Sequence, residues 1–105
     1  MEKFLKPLVI ALAITTGSVA VAAGNSDLET LRNRMTSGDT QAAWKQAQQM
    51  RGQWESDPEF DYLYGLLAYD QGMYNDAQFS LERVTVAEPG NVQARLALAK
   101  SYYKL

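Results

Sequence analysis

The chain has 105 residues, 47% of them hydrophobic, contains no cysteine or histidine, and carries a formal net charge of −2. A chain of this length holds a single domain, and its slight acidity argues against nucleic acid, which selects clustered Lys and Arg. A disulfide framework and the usual zinc, haem and nucleophile–histidine sites lack their residues. No motif places a base beside a nucleophile, so we expect neither catalysis nor a metal or cofactor.

Residues 1–23 have the layout of a secretory signal peptide. Lys3 and Lys6 form a short basic start, an apolar run follows over residues 8–14, and small residues allow cleavage after Ala22 or Ala23. The apolar run is short for a membrane span, which takes roughly 20 residues, although a retained anchor is the alternative. We expect export to the periplasm and a mature domain over residues 24–105 without a membrane span.

The mature part is predicted to be all-α, because its apolar residues follow helical spacing and no segment alternates convincingly with period two. The predicted helices cover about residues 27–36, 40–53, 58–70, 74–88 and 92 to the end. Ser26 and Glu29 form a capping box, Asp57 precedes a proline at a typical helix start, and Asn91 is placed to cap the last helix. The apolar stripes comprise Leu28, Leu31, Met35, Ala43, Ala47, Met50, Tyr64, Leu67, Ala68, Ala77, Leu81 and Val84.

Several residues recur 34 positions apart, as Gly38 with Gly72 and Ala43 with Ala77. Thirty-four residues is the period of tetratricopeptide (TPR) repeats. The segment 58–91 resembles that family, with small, turn, small, large apolar and helix-ending residues at Gly65, Gly72, Ala77, Leu81 and Pro89. The runs FDYLYG (60–65) and LERV (81–84) are also similar to the periplasmic TPR region of outer-membrane proteins of the surface lipoprotein assembly modifier type.

The pattern has departures. Asp61 and Ala68 stand where the family usually has Trp and another aromatic residue. The first repeat is degenerate, because Leu31 and Arg34 occupy the positions of the small and aromatic pair.

The resemblance implies an α-solenoid of about two and a half helical-hairpin repeats. Such a module binds a peptide or protein segment in a concave groove that the first helix of each pair lines. The positions matching that lining are Arg32, Met35, Tyr62, Leu66, Tyr69, Asp70, Leu96, Lys100 and Tyr103. An ordinary solvated face with a few half-covered aromatics is the alternative interpretation.

Other conspicuous side chains are interpreted as structural. Glu55, Asp57, Glu59 and Asp61 form an acidic run that lacks calcium-loop spacing and crosses a helix start, where the helix dipole favours acids. Trp44 and Trp54 are expected to pack against the first repeat, since large aromatics mostly serve packing.

The last helix has two interpretations. It either docks on the fourth helix, burying Ala94, Leu98 and Tyr102, or it presents Leu98, Tyr102 and Leu105 as an assembly face. We favour the assembly face, because terminal helices of such arrays normally have a polar outer face. It would allow a homo-oligomer, and it defines the alternative function: a truncated or split repeat domain that assembles with other subunits of an envelope or outer-membrane complex.

Overall fold

The computed structural model describes residues 16–105, with side chains from Ser26 onward. This part of the chain contains five helices and no strand, so the all-α prediction is confirmed. The helices are α1 (Thr16–Thr36), α2 (Thr40–Trp54), α3 (Pro58–Asp70), α4 (Tyr74–Ala87) and α5 (Val92–Lys104).

The prediction for the first helix was wrong at its start. Helix α1 begins at Thr16 and runs through Gly24 and Asn25, so Ser26 lies inside the helix and does not cap it. The Ala-rich residues before Gly24 favour helix, which offsets the cost of about 1 kcal/mol for an interior glycine. Of the predicted signal peptide, residues 1–23, the part up to residue 15 lies outside the described residues.

The turns between the helices follow the sequence signals closely. Gly38 and Gly72 both adopt left-handed backbone conformations, with φ of +85° and +80°, which glycine reaches without steric cost. Asp57 accepts a hydrogen bond from the Phe60 N–H at 3.0 Å and caps α3. Asn91 caps α5 in the same way, by accepting from the Ala94 N–H at 3.0 Å.

The chain divides into two compact units, the first ending at Thr30 and the second comprising Leu31–Leu105. Within the second unit, α3 packs against α2, α4 and α5, and α4 also packs against α5. Helix α3 is therefore central, and seven of its 13 residues are buried. The predicted apolar stripes of α2, α3 and α4 are confirmed as core, since all their members are buried.

Two helices approach closely where Leu81 of α4 lies over the backbone of Gly65 on α3. A methyl group added at Gly65 would lie 2.6 Å from Leu81 Cγ, closer than real side-chain contacts allow. Leu81 is fully buried, so it has little room to withdraw. The absence of a side chain at Gly65 therefore sets the spacing of α3 and α4.

Gly65→Ala is expected to destabilise the protein, because overpacking of about 1–3 kcal/mol exceeds the gain of about 1 kcal/mol in helix propensity. Gly52→Ala is the matched control: Gly52 lies within α2, and nothing lies within 4 Å of an added methyl group. This control should stabilise the protein by up to about 1 kcal/mol. Urea unfolding followed by circular dichroism measures both changes, and equal stabilisation by the two variants would contradict the packing argument.

Candidate functional site

A groove of about 290 Å³ lies on the surface of the second unit. Three helices line it, namely α1, α3 and α5. The lining residues are Met35, Leu66, Tyr69, Asp70, Ala97 and Lys100. Five of these six are positions that the sequence predicted for a peptide-binding groove.

The local helical geometry brings these side chains together. Leu66, Tyr69 and Asp70 are spaced three and four residues apart on α3, so they share one face of that helix. The Tyr69 ring makes an edge contact with the Tyr74 ring of α4, with centroids 5.2 Å apart, and this holds Tyr69 at the groove. Asp70 and Lys100 add one negative and one positive charge to an otherwise mostly apolar surface. Such a surface can bind a segment that combines apolar side chains with polar or charged groups.

The other predicted groove residues do not line this groove. Arg32 is exposed and forms an ion pair with Glu59 at the start of α3. Tyr62 is half-buried on α3. Leu96 and Tyr103 are exposed residues of α5, and Tyr103 retains 89% of its accessible surface. Of the predicted positions, three on α3 line this groove, whereas on α5 only Lys100 does.

The predicted assembly face lies on α5, which docks on α4. Leu98 is half-buried, whereas Tyr102 and Leu105 are exposed. The Tyr102 hydroxyl donates a hydrogen bond to Glu82 of α4. Ala94 and Ser101 supply the fully buried part of α5. Helix α5 is thus docked along one side and exposes aromatic and apolar residues on another.

The contact between Tyr102 and Glu82 shifts both ionisation equilibria. The hydrogen bond from Tyr102, helped by one from Gln78, lowers the pKa of Glu82. The same bond raises the pKa of Tyr102. The stabilisation from Glu82 is present above the pKa of an unfolded glutamate and is lost as the pH falls through the lowered value. The stabilisation of the folded state by the Tyr102 hydroxyl is lost as the pH rises through the raised pKa of Tyr102.

Asp61 is a buried carboxylate whose structural role the sequence did not reveal. It is 1% exposed and accepts hydrogen bonds from Arg83 Nε at 3.0 Å and Nη2 at 3.2 Å. It also accepts from the backbone N–H of Ser56, a residue with a left-handed φ of +84°. The hydrogen bonds that Arg83 donates to Asp61 raise the pKa of Arg83. The single sequence signal that Asp61 is unusual was its place in the resemblance to TPR repeats, where a Trp is usual.

The remaining acids of the run 55–61 have structural partners. Asp57 caps α3, Glu59 pairs with Arg32, and Glu55 lies 3.4 Å from Arg83. In the part of the chain that the structure describes, no group of three acidic or other potential ligands is arranged to hold a metal ion. The acidic run therefore serves helix capping and ion pairing.

A second surface depression, of about 510 Å³, lies along the outer side of α4. Its apolar floor includes Phe79 and Val86, which are 58% and 81% exposed. Glu82, Arg83 and Ser56 form part of its lining. The amino-acid sequence alone does not indicate this surface, because Phe79 lies beside the apolar stripe of α4 and its exposure depends on tertiary packing.

Trp44 packs on Tyr64 of α3, with ring centroids 5.2 Å apart, so its packing contact lies with the segment 58–91 and not with the first repeat. Trp54 is half-buried at the end of α2. Across the described residues, no helix combines the length and apolarity that crossing a membrane requires.

Comparisons of the chain with protein-family models, with curated proteins and with solved structures each find no match. The interpretation of the groove therefore depends on its own geometry and on the sequence pattern.

Asp61→Asn is expected to destabilise the protein by about 1–3 kcal/mol, because it removes the buried charge that pairs with Arg83 and accepts from the Ser56 turn. Glu59→Gln is the matched control, since it also removes an acid from the first turn of α3 but from an exposed ion pair. The control should change the free energy of unfolding by less than about 1 kcal/mol. Chemical denaturation distinguishes them, and similar losses would show that the buried pair has no special role.

Tyr102→Phe is expected to raise the pKa of Glu82 towards the ordinary value for glutamate, because the variant cannot donate the hydrogen bond. Carboxyl ¹³C NMR titration of Glu82 measures this shift. Tyr103→Phe is the control, since Tyr103 is almost fully exposed, and it should leave the titration unchanged. An unchanged Glu82 pKa in Tyr102→Phe would mean that α5 does not dock through this contact in solution.

Proposed function

We propose that this chain is a non-catalytic, TPR-like interaction module that binds a peptide or protein segment in its groove. The observation that carries the proposal is which helices supply the residues that line the groove. They are α1, α3 and α5, the first helices of three successive predicted pairs. Their contribution to one groove is the arrangement that the repeat pattern implies.

The backbone supports the same repeat register. Gly38 and Gly72, which the sequence pairs at a spacing of 34, adopt nearly the same left-handed φ and end α1 and α3 in equivalent ways. Ala43 and Ala77 are both fully buried on the second helix of their pairs. We further propose that the module acts in the periplasm, on the strength of the signal-like residues 1–23.

A second function, assembly with other subunits, is favoured by the exposed residues of α5. Leu96, Tyr102, Tyr103 and Leu105 all retain about half or more of their accessible surface. Exposed aromatic and apolar groups that cluster on one element commonly mark interaction surfaces. The groove is the better supported site, because it is concave and several helices converge on it.

The groove is tested with a peptide ligand selected from a phage-displayed random library on the immobilised chain. Leu66→Asp should weaken binding of the selected peptide about tenfold or more, because it places a second carboxylate beside Asp70 in an apolar groove. Lys100→Glu should also weaken it from the α5 side of the groove. Fluorescence anisotropy measures the affinities, and circular dichroism checks that each variant remains folded.

The matched control is Val92→Asp, the same kind of change at an exposed residue outside the groove lining. This variant should bind the peptide as the unmodified chain does. If selected peptides bind Leu66→Asp and Lys100→Glu with unchanged affinity, the groove is not the binding site and the proposed function is wrong in this form.

A further inference from the structure

The contacts between α3 and α4 show how the first helix of a predicted pair packs against the second helix of the same pair. Three residues of α3, four positions apart, contact α4 directly: Asp61, Gly65 and Tyr69. Their partners on α4 are Arg83, Leu81 and Tyr74, respectively. One stripe of α3 thus combines an ion pair, a close aliphatic contact and an aromatic contact.

The equivalent stripe of α5 is unoccupied in the described part of the chain. Residues 34 positions after those of α3 are Arg95, Ala99 and Tyr103, and all three are exposed. We call them the open face of α5. The match depends on the repeat register of the proposed function. Ala99 keeps the small side chain that close helix approach needs, and Tyr103 keeps the aromatic ring.

We propose that the open face of α5 binds an acidic amphipathic helix from a partner protein, packed antiparallel as α4 packs on α3. A large aliphatic residue of that helix lies over Ala99, as Leu81 lies over Gly65. An aromatic residue seven positions earlier contacts Tyr103. A Glu or Asp two positions after the aliphatic residue pairs with Arg95.

Charge decides the chemistry of the partner. The sign of the charge differs between the two equivalent positions, because α3 carries Asp61 whereas α5 carries Arg95. Arg95 donates to the Pro89 carbonyl at 3.1 Å and has no carboxylate partner among its contacts in the described residues. A carboxylate on the incoming helix would complete a pair like that of Asp61 and Arg83.

Charge also argues against a second copy of α5 as the occupant. Helix α5 contains three basic residues, Arg95, Lys100 and Lys104, and no acidic residue. A symmetric pairing of two such helices would therefore offer Arg95 no carboxylate and leave it without an ion pair.

The probe is a synthetic copy of Tyr74–Ala87, whose Tyr74 and Leu81 supply the required aromatic and aliphatic contacts, carrying Arg83→Glu. A hydrocarbon staple on its outer face maintains the helix, because 14 residues alone are only marginally helical in water. The stapled peptide with the natural Arg83 is the matched comparison. Fluorescence anisotropy measures binding of each labelled peptide to the full chain.

The Glu peptide should bind the full chain about fivefold or more tightly than the Arg peptide. Arg95→Glu should reverse that preference, because it restores the charge arrangement of Asp61 and Arg83. Ala99→Arg should abolish binding of both peptides by blocking the close approach. Both substituted residues are exposed, so circular dichroism should show unchanged helicity.

Several outcomes would overturn the proposal: no saturable binding of either peptide, no reversal of preference in Arg95→Glu, or unchanged binding to Ala99→Arg. A concentration-dependent dimer that Ala99→Arg dissociates in sedimentation experiments would identify a second copy as the occupant instead. Loss of helix binding in Leu66→Asp but not in Ala99→Arg would place the peptide in the groove, contradicting this inference while supporting the proposed function.

Discussion

Contact between Leu81 and the backbone of Gly65 is the constraint on which the second unit depends. Because Gly65 has no side chain, α4 approaches α3 more closely than any larger residue at position 65 would permit. Because α5 packs on both α3 and α4, the position of α4 also sets where α5 lies. The groove between α3 and α5 therefore owes its width to a residue that does not line it.

An ion pair between Arg83 and the buried Asp61 reinforces the same helix pair near the start of α3. Asp61 joins Arg83 of α4 to the turn before α3, where Ser56 adopts a left-handed conformation that costs a non-glycine residue about 1–2 kcal/mol. The hydrogen bonds from Arg83 and from the Ser56 N–H leave the carboxylate well satisfied, which is the condition for burying a charge. Asp61 is thus an electrostatic connection between two helices and a turn, at a position where the resemblance to TPR repeats predicts an aromatic residue.

Helix α5 contributes to two different surfaces. Ala97 and Lys100 line the groove, whereas Arg95, Ala99 and Tyr103 form the open face. These two sets lie on different sides of α5. Successive residues of a helix are rotated about its axis, and this rotation turns Ala97 and Lys100 away from Arg95, Ala99 and Tyr103. The two proposed ligands, an extended segment in the groove and a helix on the open face, would therefore not compete for the same atoms.

The helices and their ends were largely predictable from the amino-acid sequence, because capping and turn signals are local. Asp57, Asn91 and Gly72 act within a few residues of themselves, and they ended or began helices where predicted. The apolar stripes were predictable for the same reason, since helical spacing alone defines a face. The start of α1 was missed because Ser26 has a capping signature that the preceding helix-forming residues override.

The site itself required the tertiary structure. Repeat spacing predicted Leu66 and Tyr69 as groove residues and both line the observed depression, but it could not show that Arg32 pairs with Glu59 or that Leu96 lies outside the lining. Burial of Asp61 was also invisible, because its partner is 22 residues away on another helix. Local signals determine which segments become helices, whereas the exposure and pairing of a side chain depend on how distant helices pack.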